Sequence, residues 1–187
     1  MAPKPRIAPL PEAEWSDEVR AELARAVGDA WEHPPNLFTT LARHPKLLTR
    51  WLVFGAHILR KSTLPARERE LVILRTGWLC GAEYEWGHHV VIGKRAGLSD
   101  DEVVRIAHTE SSAAAGWSEL DAALLRATDE LCADKRIADP TWETLSKHLG
   151  TPQLMDLVFT VGEYVMVSMV LRTLGVEHDD GYPRFPA

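Results

Sequence analysis

One helix-length stretch constrains this chain more than any other part of it. Thr151-Pro152 opens it, Gly175 closes it, and LVFTVGEYVMVSMVL fills its centre. Proline suits the first turn of a helix and glycine the position just past its end. The run is apolar round most of its circumference, so it must be buried on most sides. A chain of 187 residues offers one core of limited size. A subunit interface is the natural place for the excess apolar surface. Glu163 and Tyr164 inside the run then need partners, with a neighbouring subunit as one source. The apolar stretch from Leu157 to Leu171 is broken by Glu163 and is short for a bilayer. The expectation is a buried helix and no membrane partner.

The rest of the chain reads as further helices with local start and stop signals. Pro3, Pro5, Pro9 and Pro11 make residues 1–14 an extended arm, because proline fixes φ and removes a donor. Ser16 caps a helix from Asp17 to about Val27. After Pro34-Pro35 come a short helix over Asn36 to Arg43 and a longer one from Pro45 to about Arg60. The longer one carries Leu47, Leu48, Trp51, Leu52 and Ile58 at helical spacing. Pro65 fits the first turn of a helix through ARERELVILRTGWL, and Gly81 interrupts before another from about Ala82 to Ala96. Ser99 and Glu102 form a capping box. Ser118 opens a helix through Leu124, Leu125, Thr128, Leu131 and Cys132, and Asp139-Pro140 opens the next with Asp139 as cap. No alternating apolar run is bounded by hairpin turns, so the fold class is all-α, one domain over residues 1–187.

Charge and composition exclude several roles. The formal charge is −6, with no long basic run, which removes the electrostatic basis for binding nucleic acid or an acidic membrane. MAPKPRIAPL lacks the apolar core of a secretory signal, so the expected location is cytoplasmic. Cys80 and Cys132 lie far apart in sequence and make no disulfide framework.

The candidate chemistry sits in Glu70, Glu85 and His89. Glu85 and His89 are four residues apart on one helix and share a face. A carboxylate beside an imidazole orients the ring and raises its basicity. Glu70 lies on the preceding helix with Leu74 and Gly77, and Gly77 is the expected point of close approach. If the two helices form an antiparallel hairpin, Glu70 reaches the Glu85–His89 face. Two carboxylates in one apolar pocket do not both ionise easily, which suits an acid paired with a base.

Read with Ala82, these residues form the pattern Glu-x11-Ala-x2-Glu-x3-His. It resembles the Glu-x11-Cys-x2-Cys-x3-His site of the alkylhydroperoxidase D-like branch of the carboxymuconolactone decarboxylase family. The stretch LPARERELVILRTGWLCGAEYEWGHHVVIGKRAGLSDDEV resembles that family's signature almost throughout, within a core motif over residues 50–110. Ala82 and Glu85 stand where the two redox cysteines would be, so thiol chemistry at these positions is excluded. The resemblance implies a helical alkylhydroperoxidase D-like fold, a trimer or hexamer, and chemistry nearer the decarboxylase branch, which moves protons and loses CO2 from a lactone acid.

Around this site, Trp78, Ala82, Trp86, His57 and His88 are substrate-pocket candidates, with core packing the ordinary use of the tryptophans. His88 and His89 point about 100° apart on a helix, so only His89 shares the face of Glu85 and no metal site is expected. Cys132 falls on an apolar stripe, and Cys80 has no second thiol at the spacing of the redox motif. The expectation is a cofactor-independent acid–base enzyme for decarboxylation or isomerisation of a small carbonyl or lactone-type acid. In it His89 is general base, Glu85 its orienting partner or second acid, and Glu70 proton donor. One alternative is an alkylhydroperoxidase or peroxiredoxin-like antioxidant using Cys80. The other is a non-catalytic binding or scaffolding oligomer.

Overall fold

Local signals account for most of the architecture. The structure, a computed structural model, describes residues 5–27, 33–108 and 116–186. The first four residues of the proline-rich arm lie outside it. Among the described residues the regular elements are all helical: α1 Asp17–Val27, α2 Asn36–Leu41, α3 Pro45–Arg60, α4 Ala66–Leu79, α5 Glu83–Arg95, α6 Asp100–His108, α7 Glu119–Asp134, α8 Asp139–His148 and α9 Thr151–Leu174. Within what the sequence reads as one domain, the chain falls into two compact units. One is Met1–Lys61 with Val170–Gly181, and the other is Ser62–Met169 with Tyr182–Ala187.

In the first unit, Val19 and Leu23 of α1, Ala42 at the end of α2 and Leu48 of α3 form the buried centre, with Trp15, Phe38, Trp51 and Leu52 packed against it. Leu47, expected on the same apolar face, is 51% exposed. From Pro5 onward the arm has no regular element except one 3-10 turn at Glu12–Glu14. It lies on its own chain: Arg6 and Ile7 N–H donate to the Leu174 carbonyl at 2.8 and 3.1 Å, and Leu10 N–H to that of Thr39 at 3.0 Å. Arg43 reaches back to the carbonyls of Ala8 and Pro9 at 2.6 and 3.1 Å. α2 ends two residues before the expected Arg43, because His44 is already the cap of α3, accepting from Leu47 N–H.

The second unit is built on α4, where every residue from Glu70 to Gly77 is buried. Leu71 and Leu74 of α4, Trp86 and Val90 of α5, Ile106 of α6, Leu124 and Leu125 of α7, and Leu157 and Val161 of α9 belong to one core. α4 ends in a Schellman turn. Gly81 takes φ +62°, its N–H donates to the Trp78 carbonyl, and Ala82 N–H donates to that of Gly77 at 2.8 Å. This turn reverses the chain, so α5 runs antiparallel to α4, with Glu70 opposite His89 and Gly77 opposite Trp86.

The close approach falls at a different glycine from the expected one. A Cβ on Gly77 would lie 3.7 Å from Trp86 N, an ordinary contact, whereas one on Gly93 would lie 2.9 Å from Leu98 Cδ1 and 3.4 Å from Glu70 Cβ. Gly93, across from Glu70, is where the hairpin depends on the missing side chain.

The Ser99–Glu102 box closes as expected, with Ser99 N–H donating to Glu102 at 2.8 Å and Glu102 N–H to Ser99 Oγ at 3.2 Å. Ser118 accepts from Asp121 N–H at 3.0 Å. At α8 the cap is Ala138, one residue before Asp139. The Ala138 N–H donates to Glu130 across the α7–α8 turn at 2.8 Å. That leaves Asp139 to pair with Arg136.

Among the described residues α9 is the one helix long and apolar enough to cross a membrane by length and composition. Its Leu154, Leu157 and Val161 nevertheless belong to the core, and Asp156 accepts from Thr63 N–H and Oγ1 at 2.6 and 2.7 Å. Met155, Phe159, Met166 and Met169 of α9 remain exposed.

Candidate active site

The α4–α5 hairpin brings the three predicted residues together around one imidazole. Glu70 Oε2 lies 2.6 Å from His89 Nδ1, and Glu85 Oε1 lies 3.0 Å from His89 Nε2. Glu70 is fully buried, and His89 and Glu85 nearly so. Burial lowers the basicity of the His89 ring. The charge and hydrogen bond of Glu70, then those of Glu85, more than offset this and raise its pKa to about 9. Near neutral pH the ring is therefore an imidazolium donating from both nitrogens. The other oxygen of Glu85, Oε2, is buried with no hydrogen-bond partner. A buried acceptor of this kind is costly unless something occupies it.

Two further residues complete the site. Arg69 Nε donates to Glu70 Oε1 at 3.3 Å, and its side chain is 11% exposed. Tyr164 of α9 meets the His89 ring edge-on, centroid to centroid 4.9 Å. Burial, then the nearby charges of Glu85, Glu70 and Glu163, push its phenol well above the usual range, so it keeps its proton. Tyr164 thus has an aromatic contact within its own chain. In the sequence Arg69 reads as one more charge in RERE, and Tyr164 stands 75 positions beyond His89, so only the tertiary packing reveals either.

The pocket candidates divide. His88 points away from the carboxylates and stacks between Tyr84 and Tyr182, at 4.8 and 3.8 Å. Trp86 is buried in the core. Trp78 packs on Trp86 at 5.7 Å and on Phe185 at 4.9 Å. Ala82 is buried at the start of α5, and its carbonyl accepts from Trp86 N–H. His57 is exposed on α3, in the first unit. Among the described residues no group of three histidine, cysteine or carboxylate side chains is arranged to hold a metal ion. The two cysteines, unrelated by sequence spacing, are neighbours in space: the Cys132 thiol shares a hydrogen bond with Cys80.

Among its described residues the second unit is all-helical and carries a buried carboxylate–imidazole–carboxylate bridge on an α-hairpin. Residues 45–130 match the Carboxymuconolactone decarboxylase family. The fold is shared with a peroxidase-related protein from Ralstonia eutropha JMP134 described as an alkylhydroperoxidase AhpD core, at TM-score 0.79 and 20% identity over 93% of each chain. A peroxidase-related protein from Silicibacter sp. TM1040 superposes at TM-score 0.79 and 16% identity, covering 97% of this chain and 96% of that one. The debrominase Bmp8, in a complex with 2,3,4-tribromopyrrole, gives TM-score 0.76 at 12% identity, covering 96% and 95%. No curated protein matches the sequence. The match over residues 45–130 and the shared fold support a carboxymuconolactone decarboxylase-like, alkylhydroperoxidase D-like family.

Proposed function

We propose that this protein is a cofactor-independent acid–base enzyme acting on a small carbonyl or lactone-type acid, by decarboxylation or isomerisation. The observation that carries the reading is the buried Glu70–His89–Glu85 bridge with Glu85 Oε2 left unbonded. The roles differ from those expected from sequence. An imidazole with a proton on each nitrogen is no base, so Glu85 takes that part through Oε2. It removes a proton from the carbon beside a carbonyl, and the electron pair moves to the carbonyl oxygen as an enolate. The His89 imidazolium, held by Glu70, keeps Glu85 oriented and offsets the negative charge that builds up. Tyr164, which keeps its proton, is the donor available to the enolate oxygen. Return of the proton to a different carbon completes an isomerisation. In a decarboxylation the C–C bond to the leaving carboxylate breaks instead, CO2 departs, and the resulting carbanion takes a proton that the His89 imidazolium passes through Glu85 and recovers from water. The Arg69 guanidinium, bonded to Glu70 through Nε, supplies positive charge for a substrate carboxylate.

Self-association belongs to the same reading. The exposed Met155, Phe159, Met166 and Met169 on α9 are the apolar excess that a trimer or hexamer would cover.

The test is proton exchange on a panel of small carboxylated lactones and enol-forming acids in D2O, followed by NMR. Deuterium enters the carbon beside the carbonyl with the wild-type protein and not with Glu85→Gln. Exchange at the buffer rate with every acid, or equal exchange by both proteins, contradicts the proposal and favours a non-catalytic binding oligomer.

A further inference from the structure

The opposite side of α4 carries chemistry that the acid–base site does not use. α4 and α7 lie parallel, locked by two ion-pair rungs. Arg67 bonds Asp121 at 2.8 Å, and Arg75 bonds Asp129 at 2.6 and 3.1 Å. Each rung joins residues 54 apart in sequence. Parallel helices in a fixed register keep their later residues opposite one another. The same register, followed to the C-terminal ends, sets Cys80, the cap residue of α4, against Cys132 in the last turn of α7. The two side chains meet in a thiol–thiol hydrogen bond, and both are partly exposed. The turn after each is fixed as well: Gly81 and Lys135 both take positive φ, and the Lys135 ammonium bonds the Cys132 carbonyl.

We infer that Cys80 and Cys132 form a redox pair that closes reversibly to an intramolecular disulfide, with a low-molecular-weight disulfide as oxidant. The pair is outside the Glu70–His89–Glu85 bridge and does not depend on the function proposed for it. The reaction is thiol–disulfide exchange. A Cys80 thiolate attacks one sulfur of RSSR, the S–S bond breaks, and RS⁻ leaves and takes up the proton Cys80 lost. The Cys132 thiol then gives up its proton and attacks the Cys80 sulfur of the mixed disulfide, expelling the second RS⁻, which that proton neutralises. Two electrons and two protons pass from the protein to RSSR, giving two RSH. The neighbouring Cys80 thiol, then burial, hold the Cys132 thiol far above its usual range, which makes Cys80 the first nucleophile. Cys80 itself sits at the C-terminal end of α4, where the helix dipole disfavours a thiolate. The pair is therefore a slow exchanger read at equilibrium, and not a fast peroxide scavenger.

The experiment equilibrates the full chain with mixtures of oxidised and reduced glutathione, quenches with acid, and reads intact mass and free thiols. The wild-type protein should lose both thiols and two hydrogens in mass, keep no glutathione, and recover with dithiothreitol. Cys132→Ser should instead retain one glutathione on Cys80, and Cys80→Ser should react more slowly than Cys132→Ser. Two persistent thiols in the wild-type protein, retained glutathione on both cysteines, or a disulfide joining two chains would each overturn the inference.

Discussion

The two faces of α4 use the same residue types to opposite ends. Toward α7, Arg67 and Arg75 meet Asp121 and Asp129 in paired geometry, and Arg75 also donates to the Ile106 carbonyl at 2.7 Å. Each carboxylate there has a guanidinium partner, Arg67 holding Glu102 as well as Asp121, and the result is a fixed register. Toward α5, two carboxylates share one imidazole, and Glu85 Oε2 is left buried without a partner. Matched groups hold structure, whereas an unfilled valence in a buried site is a place for a substrate.

The largest effect that separates the faces is on turnover. Glu85→Gln should lower kcat on an accepted substrate by roughly 10²–10⁴-fold, with the thermal midpoint little changed, since the amide still accepts from His89. Steady-state rates beside a melting curve check this. Arg75→Ala should do the reverse, costing roughly 3 kcal/mol of stability by stranding Asp129, as read by urea unfolding. His89→Ala should lose activity and stability together, because it leaves Glu70 fully buried beside no imidazole.

The bridge also makes stability depend on pH in a set direction. The folded pKa of His89, about 9, lies above its ordinary value of 6.5. Its contribution is therefore fully present below about pH 6.5 and is lost as pH rises toward about 9. Urea midpoints across that window should fall in the wild-type protein. A flat profile would mean that the ring carries no extra proton. The smallest effect is steric. Gly77→Ala should be neutral or stabilising by up to about 1 kcal/mol, while Gly93→Ala should cost about 1–3 kcal/mol by overpacking against Leu98. The reverse order would place the close approach where the sequence put it.

What was legible in the sequence was mostly local. Ser16, Ser99 with Glu102, Ser118, Gly81, Gly97 and Gly175 mark helix ends through bonds within a few residues, and those ends fall where the pattern puts them. Glu70, Glu85 and His89 were legible because a short Schellman turn folds one helix directly back on the next. Arg69 and Tyr164 were not, since a charge in RERE and a tyrosine in an apolar run have ordinary uses. The Cys80–Cys132 contact was hidden for a related reason: it depends on the α4–α7 register, which is set by ion pairs between residues 54 apart. The shift at α8 came from Glu130, which takes the Ala138 N–H and leaves Asp139 inside the helix.

The central claim is that His89 is an imidazolium clamped between two carboxylates. Nitrogen-15 NMR of the histidine rings, with His89 assigned by its loss in His89→Asn, tests it most directly. At neutral pH both His89 nitrogens should be protonated, and the ring should titrate near pH 9. A single neutral tautomer at neutral pH, titrating at the ordinary value of 6.5, would contradict the account and return the role of base to the histidine.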